Sequence, residues 1–282
     1  MRIQLERFGE RLAQRLADIE TGRIAPAVPR DAATVMVLRS LAEGVEVLML
    51  RRVAAMKFAP GAYVFPGGSV DPADFGAEIG WQGPSPAEFG ARLGASAEMA
   101  RALVCAAVRE TFEEAGILLA GSPDGPLVAP SGPAWEADRA ALAAGTLTLA
   151  GLLSRRGLVL RADLLVPWTR WITPEGEPRR FDARFFVAAL PAGQVVTGHE
   201  AESDHVAWLR PVAAIEAARA GEISLLPPTA TTLQDFAAAV ADGGGLADIL
   251  ATRPAIEPIR PSLLLEDGQA WLVLPDEVGY PL

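Results

Sequence analysis

Arg109-Glu110-Thr111-Phe112-Glu113-Glu114-Ala115-Gly116-Ile117 places three carboxylates at i, i+3 and i+4 on a helix that runs into a glycine. At about 100° per residue, Val104, Val108, Thr111, Phe112 and Ala115 share one arc, the core-facing stripe. Glu110, Glu113 and Glu114 fall on another arc and project away from that core. Like charges at this spacing repel by roughly a few tenths of a kcal/mol per exposed pair. The helix dipole at its C-terminal end disfavours negative charge further. A nearby cation makes the arrangement favourable, and oxygen ligands of this kind suit Mg²⁺ or Mn²⁺. An ordinary solvated acidic face would carry the same residues, so the acids alone leave both readings open.

Working outward, Ser96 is the expected N-cap of this helix and Gly116 its exit. Upstream, Ala32 to Leu38 and Val45 to Leu50 read as two strands with a turn near Glu43-Gly44, and Tyr63-Val64-Phe65 as a short third. Pro66-Gly67-Gly68 closes that strand. Residues 69–95, rich in Gly, Pro, Ala and Ser, read as a long loop or weakly structured insertion. Residues 3–20 space Leu5, Phe8, Leu12, Leu16 and Ile19 as an amphipathic helix that docks on the core or on a second subunit, so a homodimer is one of the two expectations. Downstream, helices are expected at 133–144, 148–156, 211–220 and 229–242, and strands at 163–166, 181–190 and 205–209. A hairpin turning at Glu266-Asp267-Gly268 is expected within 262–274. Strands and helices in this order favour a sheet covered by helices on both faces, an α/β fold. No linker stands out, so the expectation is one domain, with a core over about 30–240 and terminal additions.

Composition narrows the function. The 282 residues carry 35 acidic and 25 basic side chains, a net charge of −10. That argues against a protein whose main task is gripping a nucleic-acid backbone. Small anionic substrates stay open, since a local basic pocket and bound cations override the global field. Cys105, the single cysteine, lies among apolar neighbours and reads as a packing residue. The start, Met1-Arg2-Ile3-Gln4-Leu5-Glu6-Arg7, has charges where a signal peptide needs an apolar run. No stretch approaches the ~20 apolar residues of a membrane span. The expectation is a soluble, cytoplasmic protein that uses neither membrane nor nucleic acid.

The string Arg109-Glu110-x-x-Glu113-Glu114-x-Gly116-Ile117, with Gly67-Gly68 after Phe65-Pro66, resembles the Nudix box, G-x5-E-x7-R-E-U-x-E-E-x-G-U with U aliphatic. The resemblance implies a Nudix-type α/β/α sandwich around a mixed β-sheet. It also implies divalent metals held against a substrate diphosphate, with a water attacking phosphorus. Carried over by position, Glu110, Glu113 and Glu114 become metal ligands, Glu113 and Glu114 the catalytic acids, and Gly68 a backbone contributor to the metal site. Arg109 takes a structural part, pairing with an acid inside the box. Gly68 and Arg109 lie 41 positions apart where the pattern has 14, an insertion of 27 residues. The first glutamate of the box is displaced, and Asp74 or Glu98 is the candidate partner for Arg109. Thr111 replaces an aliphatic residue.

The approach to the box, Leu48-Met49-Leu50-Arg51-Arg52-Val53-x3-Lys57-x3-Gly61-x3-Phe65-Pro66-Gly67-Gly68, is similar to a signature of coenzyme A diphosphatases, roughly L-L-T-x-R-(S/A)-x3-R-x3-G-x3-F-P-G-G. It departs at Met49, Leu50 and Val53, and Lys57 replaces an arginine, keeping charge but losing the bidentate fork. Arg52 and Lys57 are the candidate phosphate-binding residues. The long insertion, Arg-Glu-Thr-Phe-Glu-Glu-Ala-Gly, and Trp171-Ile172-Thr173-Pro174 followed by Arg180-Phe181-Asp182-x-x-Phe185-Phe186 resemble the peroxisomal-type branch of those enzymes. That implies cleavage of coenzyme A or acyl-CoA to 3′,5′-ADP and a 4′-phosphopantetheine, with the apolar insertion suiting the pantetheine or acyl arm. The chain ends Gly279-Tyr280-Pro281-Leu282, without a Ser-Lys-Leu-like address. His199-Glu200-Ala201-Glu202-Ser203-Asp204-His205 is the loop expected to supply a further acid, with Glu202 as extra ligand or base. Trp168 and Trp171 either stack on adenine or pack, packing being the plainer reading. Two alternatives remain: hydrolysis of ADP-ribose or another nucleoside diphosphate derivative, and a Nudix-fold binding module without turnover. Against the last stands the retention of three mutually repelling acids.

Overall fold

The structure is a computed structural model describing residues 1–4, 10–42, 44–55, 59–76, 78–198, 203–241, 256–266, 269–276 and 278–282. In chain order the strands are β1 (Arg2–Gln4), β2 (Arg30–Leu41), β3 (Gly44–Arg52), β4 (Ala62–Val64), β5 (Gly67–Ser69), β6 (Trp81–Gln82), β7 (Ala120–Gly121), β8 (Val159–Arg161), β9 (Val166–Ile172), β10 (Phe181–Ala189), β11 (Ser203–Leu209), β12 (Ser224–Leu225), β13 (Pro258–Ile259), β14 (Ser262–Glu266) and β15 (Gln269–Val273). The helices are α1 (Glu10–Glu20), α2 (Pro86–Leu93), α3 (Ala97–Ala115), α4 (Pro133–Ala143), α5 (Leu149–Arg156), α6 (Pro211–Arg219) and α7 (Pro227–Ala241).

Alternation along the strands builds the sandwich. Ala33, Val35 and Val37 of β2, Leu48 and Leu50 of β3 and Phe186 and Ala188 of β10 join one buried cluster with residues of α2, α3, α4 and α5. Their neighbours Met36 and Leu38, Val47 and Met49, and Phe185 and Val187 join a second cluster with Ala214, Ile215, Leu233 and Phe236 of α6 and α7. Successive side chains point to opposite faces, so strands apolar at every position are buried on both. The sheet is mixed: β10 pairs β2 in parallel and β9 antiparallel. The expected α/β/α sandwich is therefore the observed fold.

One irregularity of this sheet prepares the site. Near their turn, β2 and β3 pair through Leu38–Leu41 and Gly44–Val47. Beyond that they diverge, and residues 62–69 enter the gap, with β4 on β3 and β5 on β2. Helix α3 lies across this wedge, touching β2 and β5.

Several expectations are corrected. Residues 69–95 are not one loop: a 3₁₀ turn covers Pro72–Asp74, β6 pairs β8, and α2 starts at Pro86 behind a Ser85–Glu88 capping box. The strand expected at 163–166 begins only at Val166, because residues 162–164 form a 3₁₀ turn ahead of it. Among the described residues the N-terminal helix covers Glu10–Glu20, and Arg2–Gln4 instead form a strand against β15; positions 5–9, with Leu5 and Phe8, are outside the described residues. Leu12 and Leu16 of α1 sit with Leu263 around Gly176, so this helix docks on its own chain. The C-terminal hairpin is present as β14 and β15, its Asp267-Gly268 turn outside the described residues. Among the described residues no helix is long and apolar enough to cross a membrane.

Candidate functional site

Ser96 caps α3 by accepting from the Met99 N–H, and Gly116 ends it in the left-handed region at φ 71° with its N–H on the Phe112 carbonyl. An L side chain at φ 71° is strained, and a Cβ there would also overlap the Thr197 hydroxyl. The helix therefore stops where the chain must turn beneath residue 197. Its last two turns carry the acids.

These acids do not face open water. Glu114 is only 9 % exposed and accepts a hydrogen bond from the Gly67 N–H at 3.1 Å. On the helical wheel it lies roughly 60° from Thr111, at the margin of the buried stripe, which is why the wedge of 62–69 reaches it. Glu110 packs on Gly68 so closely that a Cβ at that glycine would overlap its carboxylate. Gly68 thus lets backbone approach the Glu110 carboxylate at a distance no other residue permits, while Gly67 lets it lie against Ala33 and Thr34 of β2.

Arg109 joins the acids. Its Nε and Nη2 donate to Asp74 at 3.1 and 3.0 Å, Nη2 also to the Ser69 carbonyl at 3.0 Å, and Nη1 to Glu110 at 2.8 Å and Glu113 at 3.4 Å. Burial pushes the Arg109 pKa down, but the Asp74 hydrogen bond and the charges of Glu110, Asp74 and Glu113 outweigh it, and the pKa is raised. The group stays a guanidinium. Asp74 is 2 % exposed and also accepts from the Asp71 N–H, closing the capping box of its own 3₁₀ turn. Of the two candidates, Asp74 is the partner of Arg109.

Arg139 and Thr197 are site residues the sequence did not signal. Arg139 Nε donates to the Glu113 carbonyl at 2.8 Å, and its two terminal nitrogens reach the hydroxyl and carbonyl of Thr197, each at 2.7 Å. The Thr197 N–H in turn bonds the Ala115 carbonyl at 3.0 Å. Three exit carbonyls and a following loop are tied together, which offsets the orphan acceptors of a helix end.

Two recesses flank the ledge of acids. A cleft of about 580 Å³ borders Arg109 and Glu110. A crevice of about 10 Å³, near one water in size, lies between Glu114, Arg52 and Ser203. So Arg52 is brought to the site; Lys57 and Glu202, with His199 and Glu200, lie outside the described residues. Trp168 and Trp171 are buried in the second cluster and pack. The Arg180-Phe181-Asp182 motif is structural: Asp182 takes Arg170 bidentately at 2.8 and 2.7 Å and also pairs with Arg184, while Arg180 holds the Thr173 carbonyl. Cys105 is fully buried, as expected, and burial pushes its thiol up to about 12.

Among the described residues no three His, Cys, Asp or Glu side chains converge closely enough to hold a metal ion as they stand. The donors fit a divalent cation in type: three carboxylates on the last two turns of α3, and a glycine backbone pressed on one of them.

Comparison with known proteins decides the family. The NUDT19 Nudix domain matches residues 95–235, half of the chain, including α3 and its acids. The chain belongs to the Nudix hydrolase family. It is 30% identical to a Nudix hydrolase from Alicyclobacillus acidocaldarius of known structure, with a TM-score of 0.64, covering 81% of this chain and 98% of that one. It is 34% identical to the acyl-coenzyme A diphosphatase NUDT19 of Gallus gallus over 222 residues, 65% of this chain and 58% of the relative. The human protein of that name is 34% identical over 225 residues, 66% and 59% of the two chains. This Nudix chain thus spans a little over half the length of the curated relatives it matches. Nudix hydrolases generally use divalent cations, which agrees with the donor set on α3.

Proposed function

We propose that this Nudix chain is a Mg²⁺- or Mn²⁺-dependent diphosphatase that cleaves coenzyme A or acyl-CoA to 3′,5′-ADP and (acyl-)4′-phosphopantetheine. One observation carries the reading. Glu114 on the Gly67 N–H and Glu110 against Gly68 make the acids of α3 and the Phe65-Pro66-Gly67-Gly68 turn a single surface. The names of the curated relatives support the substrate class.

Glu110, Glu113, Glu114 and the Gly68 backbone are the groups that would hold the metal. When bound, a divalent cation neutralises the diphosphate and lowers the pKa of bound water. Arg109 shares its charge between Glu110 and Glu113, limiting their repulsion while the diphosphate is absent. Arg52, which lines a crevice with Glu114, would steady a substrate phosphate. Glu113 and Glu114 are the acceptors for the proton of an attacking water, with Glu202 as a further base.

The test is product analysis. Purified protein is incubated with Mg²⁺ or Mn²⁺ and, separately, coenzyme A, acyl-CoA, ADP-ribose, NADH and nucleoside triphosphates. Release of 3′,5′-ADP from the coenzyme A compounds is expected. Rapid turnover of ADP-ribose with none of coenzyme A would move the substrate to another nucleoside diphosphate. Binding without turnover of any substrate would leave a non-catalytic module.

A further inference from the structure

Beyond holding Arg109 through Asp74, the inserted segment forms much of the wall of the cleft beside Glu110. Ser69, Val70, Asp71, Pro72 and Phe75 lie on that wall, and Met99 of α3 lines the cleft with them. The wall is fixed to the acids. The turn that presents Phe75 ends in Asp74, and Asp74 is ion-paired with Arg109. The cleft also opens directly beside Glu110, so a substrate whose diphosphate lies on the ledge must send one of its two arms this way.

Charge and shape select the arm. The cleft carries Arg30 and Arg109 against Asp31, Asp71 and Glu110, a small acidic excess, and Arg109 and Asp31 are already paired within the protein. A dianionic 3′-phosphate gains little there. A neutral, amide-linked chain ending in an acyl group meets Val70, Pro72, Phe75 and Met99, of which Val70 and Met99 also pack on the core. At the opposite end of the ledge stands Arg52, beside Glu114. We propose that the cleft beside Glu110 takes the pantetheine–acyl arm, that the nucleotide lies toward Arg52, and that Val70, Phe75 and Met99 set acyl-chain preference. This rests on the coenzyme A reading given above.

The experiment compares Phe75→Asp and Phe75→Tyr with the unaltered protein, each first checked for an unchanged thermal midpoint. Acetyl-, hexanoyl- and decanoyl-CoA, coenzyme A and dephospho-CoA are assayed, and decanoyl-CoA binding to metal-free protein is measured by titration. Phe75→Asp is expected to lower kcat/KM for decanoyl-CoA relative to acetyl-CoA by about tenfold, mostly through KM, and to weaken the titrated binding in step. Phe75→Tyr, keeping the ring, should retain most of the preference. An unchanged chain-length profile in Phe75→Asp would overturn the inference while leaving the diphosphatase reading intact. So would a changed ratio between coenzyme A and dephospho-CoA in Arg30→Ala, which would put the 3′-phosphate in this cleft. Failure of the unaltered protein to cleave any coenzyme A compound removes the reading itself, and the inference with it.

Discussion

Arg109 holds one positive charge against three carboxylates, and only Asp74 meets it with two oxygens at hydrogen-bond distance. Removing that partner leaves a mostly buried guanidinium short of an acid and the 3₁₀ turn short of its cap. Asp74→Ala should therefore cost about 3 kcal/mol in urea unfolding, since breaking a buried pair costs more than the pair is worth. A loss below about 1 kcal/mol would mean that Glu110 and Glu113 suffice. The box acids were legible in the sequence because their spacing is local. Choosing Asp74 over Glu98 was not, since it depends on how an inserted segment folds back. Cys105 gives a test by pH. Its folded pKa, about 12, lies above that of an exposed thiol because burial disfavours the thiolate, so the fold is favoured while the thiol is neutral and loses ground as it ionises. That contribution is fully present below roughly pH 8.5 and is lost as pH rises toward the folded value. Native protein at pH 8 should resist iodoacetamide and react only once unfolded; rapid labelling of the native state would contradict the burial.

At the scale of elements, α3 announces itself through its N-cap, its alanine-rich body and Gly116, all within one window. Helix α2 was missed although Ser85-Pro86-Ala87-Glu88 has the form of a capping box with proline at the first position. Its eight residues sit in a Gly- and Pro-rich stretch whose composition reads as loop. The clamp at the end of α3 had no signal, because Arg139 lies 26 residues from Glu113 and 58 from Thr197. Arg139→Met keeps much of the side-chain bulk and removes all three donors. It should cost roughly 2 kcal/mol through unsatisfied buried acceptors. Amide exchange at Thr197 should quicken, because the loop loses its anchor to α3. Unchanged protection there would show that the Thr197–Ala115 backbone bond holds the loop alone.

Across the whole molecule, the sandwich was readable from the order of strands and helices, and the apolar stretches of β2, β3 and β10 are buried on both faces, as it requires. The joining of the two ends of the chain into the sheet β1–β15–β14 was not readable, because pairing over such a separation leaves no local pattern. Leu272 of that sheet belongs to the same cluster as Leu233 and Phe236 of α7. Leu272→Ala should therefore lower global stability by about 2–3 kcal/mol in a single transition. A separate early step would mark the terminal sheet as an independent unit. Glu114 joins the acids of α3 to the Gly67-Gly68 turn, so the proposed diphosphatase reaction depends on it above all. The measurement is release of 3′,5′-ADP from coenzyme A under Mg²⁺ or Mn²⁺, comparing the unaltered protein with Glu114→Gln, each with and without a chelator. Metal-dependent release by the unaltered protein is expected, with a fall by about two orders of magnitude or more in Glu114→Gln with its fold intact. Near-normal turnover by Glu114→Gln, or release that survives the chelator, would contradict the proposed reaction.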